Sequence, residues 1–380
     1  MDKNLAYRIV QKPEFISRSI NDTVQWLNFF PTRTLNMADP SVIAGAIAFD
    51  RVANFYCNKI LAIPEAGCMT VEDCSIIGYG LVEKGGNILS DRNLTMPKEE
   101  IGSFDYFKDA RVDNNDFRLG RDYVRGNDLD SAVLLIRRGD VVHGHWLLEI
   151  LPKVPLAQRV ADDSSVYVVS AATPAYQIEM LCQLGISADK IVKIDKHEII
   201  KCKRLIIPSV AHANQYWLNP FANIVYDQLI NSIERSDSVS NAAAISNKIF
   251  VTRSSRARDP RPVVDNDLVE DVAREMGYTL VDPGAVGWKR QIEIFSSATH
   301  IVGYGGSGLH NTVFTGSNAT VLTIQSNQTF NYLQTSIATI RGHQISYLFG
   351  EALDGFNSRS WETAFKVDER LLRVVLERLL

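Results

Sequence analysis

The sequence predicts an α/β protein made of two Rossmann-like domains facing a cleft, preceded by an irregular β-containing N-terminal region. Three observations point there. From about residue 131, short apolar runs of strand length alternate with helical stretches. The alternation halts at a small, polar stretch beginning Ser236-Asp-Ser-Val-Ser and resumes at Lys248. Each alternating series implies a parallel sheet covered by helices on both faces, and two such sheets joined by a linker leave a ligand cleft between them.

Residues 1–130 are the least regular. Trp26-Leu-Asn-Phe-Phe is apolar, and 67–89 reads as short strands broken by glycines, a meander or hairpins. Ala132-Val-Leu-Leu-Ile is a strand. His143-Gly-His-Trp-Leu-Leu-Glu-Ile-Leu-Pro152 follows as a helix disturbed at its proline. Strands at Val166-Tyr-Val-Val, Ile191-Val-Lys-Ile and Arg204-Leu-Ile-Ile come next, with helices over 176–184, closed by Gly185, and 221–233. After the linker, strands at Lys248-Ile-Phe-Val-Thr, Thr279-Leu-Val, His300-Ile-Val and Thr320-Val-Leu-Thr-Ile alternate with helices over 267–276 and 291–297. A last helix ends the chain. The expected boundaries are 1–235 for the N-terminal domain (1–130 irregular and β-rich, 131–235 Rossmann-like), 236–247 for the linker and 248–355 for the second domain. A C-terminal helical segment over 356–380 is expected to pack back on the first domain.

The chain has 380 residues, 46% hydrophobic and 22% charged, which fits a globular protein with a sizeable core. A net charge of −4 advertises no nucleic-acid partner. No run approaches the roughly 18 apolar residues of a membrane helix, and the first residues carry no signal-peptide pattern. Five scattered cysteines fit a reducing cytoplasm as mostly buried thiols, and Cys68 and Cys74 lack the spacing of a metal site.

Four stretches can carry chemistry. In Ile301-Val-Gly-Tyr-Gly-Gly-Ser-Gly-Leu-His-Asn311 a strand feeds a glycine-rich turn, with a helix expected to open near Ser307. Backbone N–H groups and a positive helix end there suit a phosphate, although a tight turn without ligand is the competing reading. The spacing of Gly303, Gly305, Gly306 and Gly308 is not a dinucleotide fingerprint, and Leu309 replaces the last glycine of a nucleophile elbow around Ser307. Arg253-Ser-Ser-Arg-Ala-Arg-Asp-Pro-Arg261 follows a strand end, where guanidinium groups can grip a diphosphate. Asp265 and Asp267 read as helix caps rather than metal ligands. On a helix, His145 and Glu149 share one face at i, i+4, so Glu149 can orient the imidazole and the pair can take a proton from a hydroxyl. His143 is expected to contact ligand from a loop.

These residues together resemble glycosyltransferase family 61. The resemblance rests on His145-Trp-Leu-Leu-Glu-Ile-Leu-Pro152 and a later block: Lys248-Ile-Phe-Val-Thr-Arg253, Arg261, Asn266, Gly277, Gln291, Ser297-Ala298 and Gly303-Tyr-Gly-Gly-Ser-Gly-Leu-His-Asn-Thr-Val-Phe314. It covers roughly residues 130–325, as in a bacterial-type member. It implies a GT-B architecture and an inverting, metal-independent glycosyltransferase. The donor is a nucleotide-sugar, most often a UDP-sugar, bound as co-substrate by the second domain; no other cofactor and no metal is expected. The first domain takes a glycan or glycolipid acceptor. The family's glycine turn is commonly His-Gly-Ala-Gly-Leu-x-Asn, and Gly305 stands where that His falls, with Tyr304 or His310 as replacements for the imidazole.

The expected mechanism has Glu149, or His145 oriented by it, deprotonate the acceptor. Arg253, Arg261 and the N–H groups of Gly306, Ser307 and Gly308 face the diphosphate, while Ser307, His310, Asn311 and Tyr304 contact the donor. The expected setting is bacterial cytoplasm at the inner face of the membrane, in a complex building capsule or lipopolysaccharide. Two rivals are a non-catalytic nucleotide- or glycan-binding protein, which Gly305 favours, and a serine hydrolase acting through Ser307.

Overall fold

A computed structural model describes residues 6–18, 23–103, 111–113, 116–118, 123–212, 217–236, 246–253, 263–328, 330–353 and 364–379. The chain is α/β and divides into two compact units. Unit 1 is Met1–Arg33 with Pro64–Ala213, and unit 2 is Thr34–Ile63 with Asn214–Leu380.

Unit 1 is built on β1 (Ala66–Ile77), β2 (Leu129–Leu134), β3 (Val166–Ser170), β4 (Ile191–Ile194) and β5 (Glu198–Pro208). Strands β2 to β5 run parallel in the order β4-β3-β2-β5, which is a doubly wound order with its reversal between β2 and β5. Strand β1 then adds antiparallel to β5, with Ile206 opposite Thr70 and Cys202 opposite Cys74. Leu81–Lys84 and Asn87–Ser90 continue from β1 as the expected meander. Residues 66–90 thus form one continuous sheet with the Rossmann-like part. Alternating apolar residues explain the continuity: Met69 and Val71 of β1 share a core with Leu134, Val168, Leu205 and Ile207.

Unit 2 carries β6 (Lys248–Val251), β7 (Thr279–Val281), β8 (His300–Tyr304), β9 (Thr320–Ser326) and β10 (Gln344–Ala352), all parallel, in the order β7-β6-β8-β9-β10. This is the other common doubly wound order, with its reversal between β6 and β8. Helices over Ala175–Gln183 (α1) in unit 1, and over Asn223–Ser236 (α2), Asn266–Glu275 (α3), Trp288–Ser297 (α4) and Leu333–Arg341 (α5) in unit 2, fall within a few residues of their expected places where one was expected.

Two sequence boundaries are corrected. Residues 34–63 and α2 lie in unit 2, not in a 1–235 domain. The cause is long-range pairing: Val42–Gly45 adds parallel to β10, with Ser346 opposite Val42. On α2, Asn223 Nδ2 donates to Ile340 O at 2.8 Å and Asp227 pairs with Arg341 at 2.7 Å. The linker expected at 236–247 lies mostly outside the described residues. The closing helix α6 (Glu369–Leu379) sends Leu372, Val375 and Leu376 into unit 2's own core beside Phe250, Val272 and Leu322. Of the cysteines, Cys68, Cys74 and Cys202 are buried while Cys57 and Cys182 are exposed. Among the described residues no helix is long and apolar enough to cross a membrane.

Candidate functional site

Open α/β sheets bind ligands beyond the carboxyl ends of their strands, where the strand order reverses. In unit 1 that place is the end of β2, and the segment leaving it is Leu135 to Glu149. The expected helix is real but broken: His143–His145 is α-helical, Trp146–Ile150 is a π-helix, and Lys153–Ala157 is α-helical again. Leu151 N reaches back five residues to Trp146 O at 2.9 Å. Pro152 has no N–H to continue an α ladder, and the extra residue of the π turn is accommodated just before it.

His145 Nδ1 lies 2.6 Å from Glu149 Oε1, and Arg137 Nε lies 2.7 Å from Glu149 Oε2. The Glu149 and Arg137 side chains are 8% and 7% exposed, whereas that of His145 is 49% exposed. Arg137 is anchored in turn by Nη1, which donates to Thr95 O at 2.8 Å and Arg92 O at 3.1 Å. Burial by itself would raise the Glu149 carboxyl; the hydrogen bond from His145 and the charges of Arg137, His145 and His212 outweigh it and hold the group at about 2. Glu149 is therefore ionised, so Nδ1 must carry the proton and donate, and Nε2 of the neutral ring is the acceptor. The bond to Glu149 also raises the His145 pKa above its usual value, against burial. Of the two alternatives for the base, this geometry suits His145, because both Glu149 oxygens are already engaged.

Beneath the pair lies a second buried set that sequence reasoning did not single out. Lys153 is completely buried, with Nζ 3.3 Å from Leu134 O, and burial together with Arg137 lowers its pKa to about 7. Burial raises the Asp140 carboxyl to about 6, against hydrogen bonds from the Arg137 and Val141 backbone. Arg137, Asp140, Lys153 and His212 were all missed. The one available signal was the Arg137-Arg138-Gly139-Asp140 turn directly after an apolar strand. His143 is half-buried, with Nδ1 3.5 Å from Tyr176 Oη.

In unit 2 the reversal lies between β6 and β8, and the glycine turn and Arg253 both leave that place. Arg253 donates to Gly305 O and its guanidinium sits 5.8 Å from the Tyr304 ring centre. The helix expected near Ser307 is a 3-10 turn over Leu309–Phe314, too short to contribute a helix dipole. What remains is backbone. The Gly306 and Gly308 carbonyls are tied inward by Leu309 N at 2.9 Å and Asn311 Nδ2 at 3.0 Å. Among the described residues, the N–H groups of Gly306, Ser307 and Gly308 donate no hydrogen bond. Asn311 is fully buried and donates also to Gln291 Oε1 at 2.9 Å, so it braces the turn.

Tyr304 is buried in the core, its hydroxyl donating to Asn266 Oδ1 at 2.7 Å, with burial raising its pKa. That role is structural. His310 is half-buried in the 3-10 turn. Arg261 lies outside the described residues. Asp265 precedes α3 as expected but does not cap it: its backbone is left-handed (φ +58°), and its carboxylate pairs with Lys366 at 3.3 Å. Among the described residues no group of three or more His, Cys, Asp or Glu could hold a metal ion. No hydrogen bond joins Ser307 to a histidine or carboxylate among them. A groove of about 860 Å³ in unit 2, lined by Gly45, Phe349, Lys366 and Leu371 among others, includes none of the expected site residues.

A family model described as Glycosyltransferase 61 matches residues 143–322, just under half of the chain. The match opens at His143 and closes in β9, so it takes in the His145–Glu149 pair, Arg253 and the glycine turn. No curated protein matches the chain. Over residues 143–322 the chain is similar to glycosyltransferase family 61.

Proposed function

We propose that the chain is an inverting GT-B glycosyltransferase that moves a sugar from a nucleotide-sugar, a UDP-sugar, to a hydroxyl of a glycan or glycolipid. The setting is bacterial surface-polysaccharide assembly, capsule or lipopolysaccharide, at the cytoplasmic face of the membrane. The observation that carries this reading is the half-exposed His145 imidazole bonded at 2.6 Å to a carboxylate that Arg137 locks in place. Nε2 takes the acceptor's proton, the acceptor oxygen bonds to the anomeric carbon, and the bond from that carbon to the diphosphate breaks. The electron pair leaves with the diphosphate. Arg253 and the Gly306–Ser307–Gly308 N–H groups oppose the growing negative charge, usually the largest single contribution to rate. Fixed dipoles and a guanidinium do this neutralising, so the reaction proceeds without a divalent cation.

The test is a panel of UDP-, GDP- and CMP-sugars in thermal-shift measurements, followed by transfer assays with and without a chelator. A bound donor stabilises the fold by mass action. The expected result is stabilisation by a UDP-sugar, chelator-resistant transfer, and a product of opposite anomeric configuration. Failure of every sugar nucleotide to shift the melting temperature would sink the proposal.

A further inference from the structure

Gly139 lies in the turn between β2 and the broken helix, with φ +77°, a left-handed conformation that glycine adopts without a Cβ penalty. Its surroundings restrict it further. A Cβ built on Gly139 would stand 3.0 Å from Cδ2, 3.1 Å from Cγ and 3.3 Å from Nε2 of His145. Gly185, at φ +87° in the same unit, would meet nothing within 4 Å. The two glycines share a backbone requirement, and only one of them lies against the dyad.

The hydrogen bond to Glu149 fixes one atom of the imidazole. Rotation about that bond remains, because the outer torsion of histidine is broad. The ring plane then depends on the space beside it, and the missing Cβ of Gly139 leaves the ring room to lie where it does. The absent methyl also keeps clear the approach to Nε2, the nitrogen that an acceptor hydroxyl must reach. We propose that Gly139 is a positioning residue that seats the His145 imidazole against backbone and leaves Nε2 accessible. The inference rests on reading His145 as the base.

The test compares Gly139→Ala with Gly185→Ala in the full-length chain, by transfer kinetics and by NMR titration of the His145 ring. The charged groups facing His145 are Glu149 on its own helix and Arg137, Arg138 and Asp140 on the turn. All are retained, so a changed titration reports displacement of the ring. A misplacement of 1 Å can cost about 10²-fold in rate; for the few tenths of an ångström a Cβ demands, Gly139→Ala should lower kcat about tenfold with donor KM unchanged. The His145 pKa should fall towards the ordinary value of about 6.5 as its bond to Glu149 lengthens. Gly185→Ala should leave both readouts at wild type. Should Gly139→Ala not fold, Gly139→Asn brings the same Cβ with a side chain that tolerates a left-handed backbone. A His145 titration and kcat unchanged in the Gly139 variant overturn the proposal. If the wild type transfers no sugar, the titration still decides whether Gly139 positions the ring. An unchanged titration beside active transfer leaves the transferase standing without the positioning role.

Discussion

Arg137 and Glu149 meet at 2.7 Å with less than a tenth of either side chain exposed, and His145 holds the other oxygen of the same carboxylate. A half-exposed histidine thus rests on a largely buried anion. Removing Arg137 leaves that anion buried without its strongest counter-charge. We expect Arg137→Met to lose about 3–5 kcal/mol in urea unfolding, the usual cost of breaking a buried pair, while Arg137→Met with Glu149→Leu recovers most of that stability and no activity. The sign with pH follows from linkage. Glu149 is depressed to about 2, so its contribution is present above the unfolded value near 4.5 and is lost as pH falls through 2. Arg137→Met should weaken this acid-limb dependence, as seen in unfolding curves between pH 2 and 5.

The identity of the base is a pH question. If Glu149 accepted the proton directly, kcat/KM would stay flat down to acid, because the group titrates at about 2. If His145 accepts it, activity falls as pH drops through a value above the usual imidazole range, the bond to Glu149 having raised it. The profile of the wild type should show the second behaviour. Glu149→Gln should lower kcat roughly 10²–10⁴-fold. Its residual activity should show the acidic limb moved to lower pH, since the ring then loses the anion that raised it.

The alternating strands were legible because apolar runs such as Ala132-Val-Leu-Leu-Ile and Thr320-Val-Leu-Thr-Ile leave little choice but a buried parallel strand. His145 and Glu149 were legible by spacing alone. Arg137 was not, because it reaches Glu149 across a turn of unpredictable path, and no periodicity links the two. The unit boundary was hidden for a related reason. Val42–Gly45 is a weak strand in isolation and becomes one by pairing with β10 some 300 residues later. At the glycine turn the sequence announced a tight strand-to-helix connection correctly, but a 3-10 turn and an α-helix open with the same residues.

Lys153 is a buried amine whose charge is poorly compensated. Its pKa is lowered to about 7, so below pH 7 the folded state carries the full disadvantage of holding it protonated. Between pH 7 and 10.5 the unfolded chain still binds the proton and the folded one does not, so that disadvantage shrinks as pH rises. Lys153→Met, of similar shape and without charge, should therefore raise the melting temperature most at or below pH 7, with the gain fading towards pH 10. Equal gains at pH 6 and pH 10 would show that packing and not charge is responsible.

The glycine turn contains two kinds of glycine, and they should answer differently to one methyl group. At Gly303 a Cβ would lie 2.8 Å from Val251 Cβ and 3.1 Å from Val251 O, between neighbouring strands that cannot part. Gly303→Ala should cost about 1–3 kcal/mol, the usual price of overpacking, and weaken donor binding only in so far as unit 2 unfolds. At Gly308 the nearest atoms, on Pro283 and Val251, are 3.5 Å away, an ordinary contact, and the backbone is right-handed at φ −63°. Packing gives no reason for glycine there. On the proposed function a ligand does: a methyl beside an N–H that is to cradle a diphosphate would keep the phosphate oxygens off. Gly308→Ala should melt within a degree or two of wild type yet bind the nucleotide-sugar at least tenfold more weakly by calorimetry. Unchanged affinity in Gly308→Ala would leave the turn a purely structural connection between β8 and the 3-10 turn, and the charge of the leaving group would then rest on Arg253 without it.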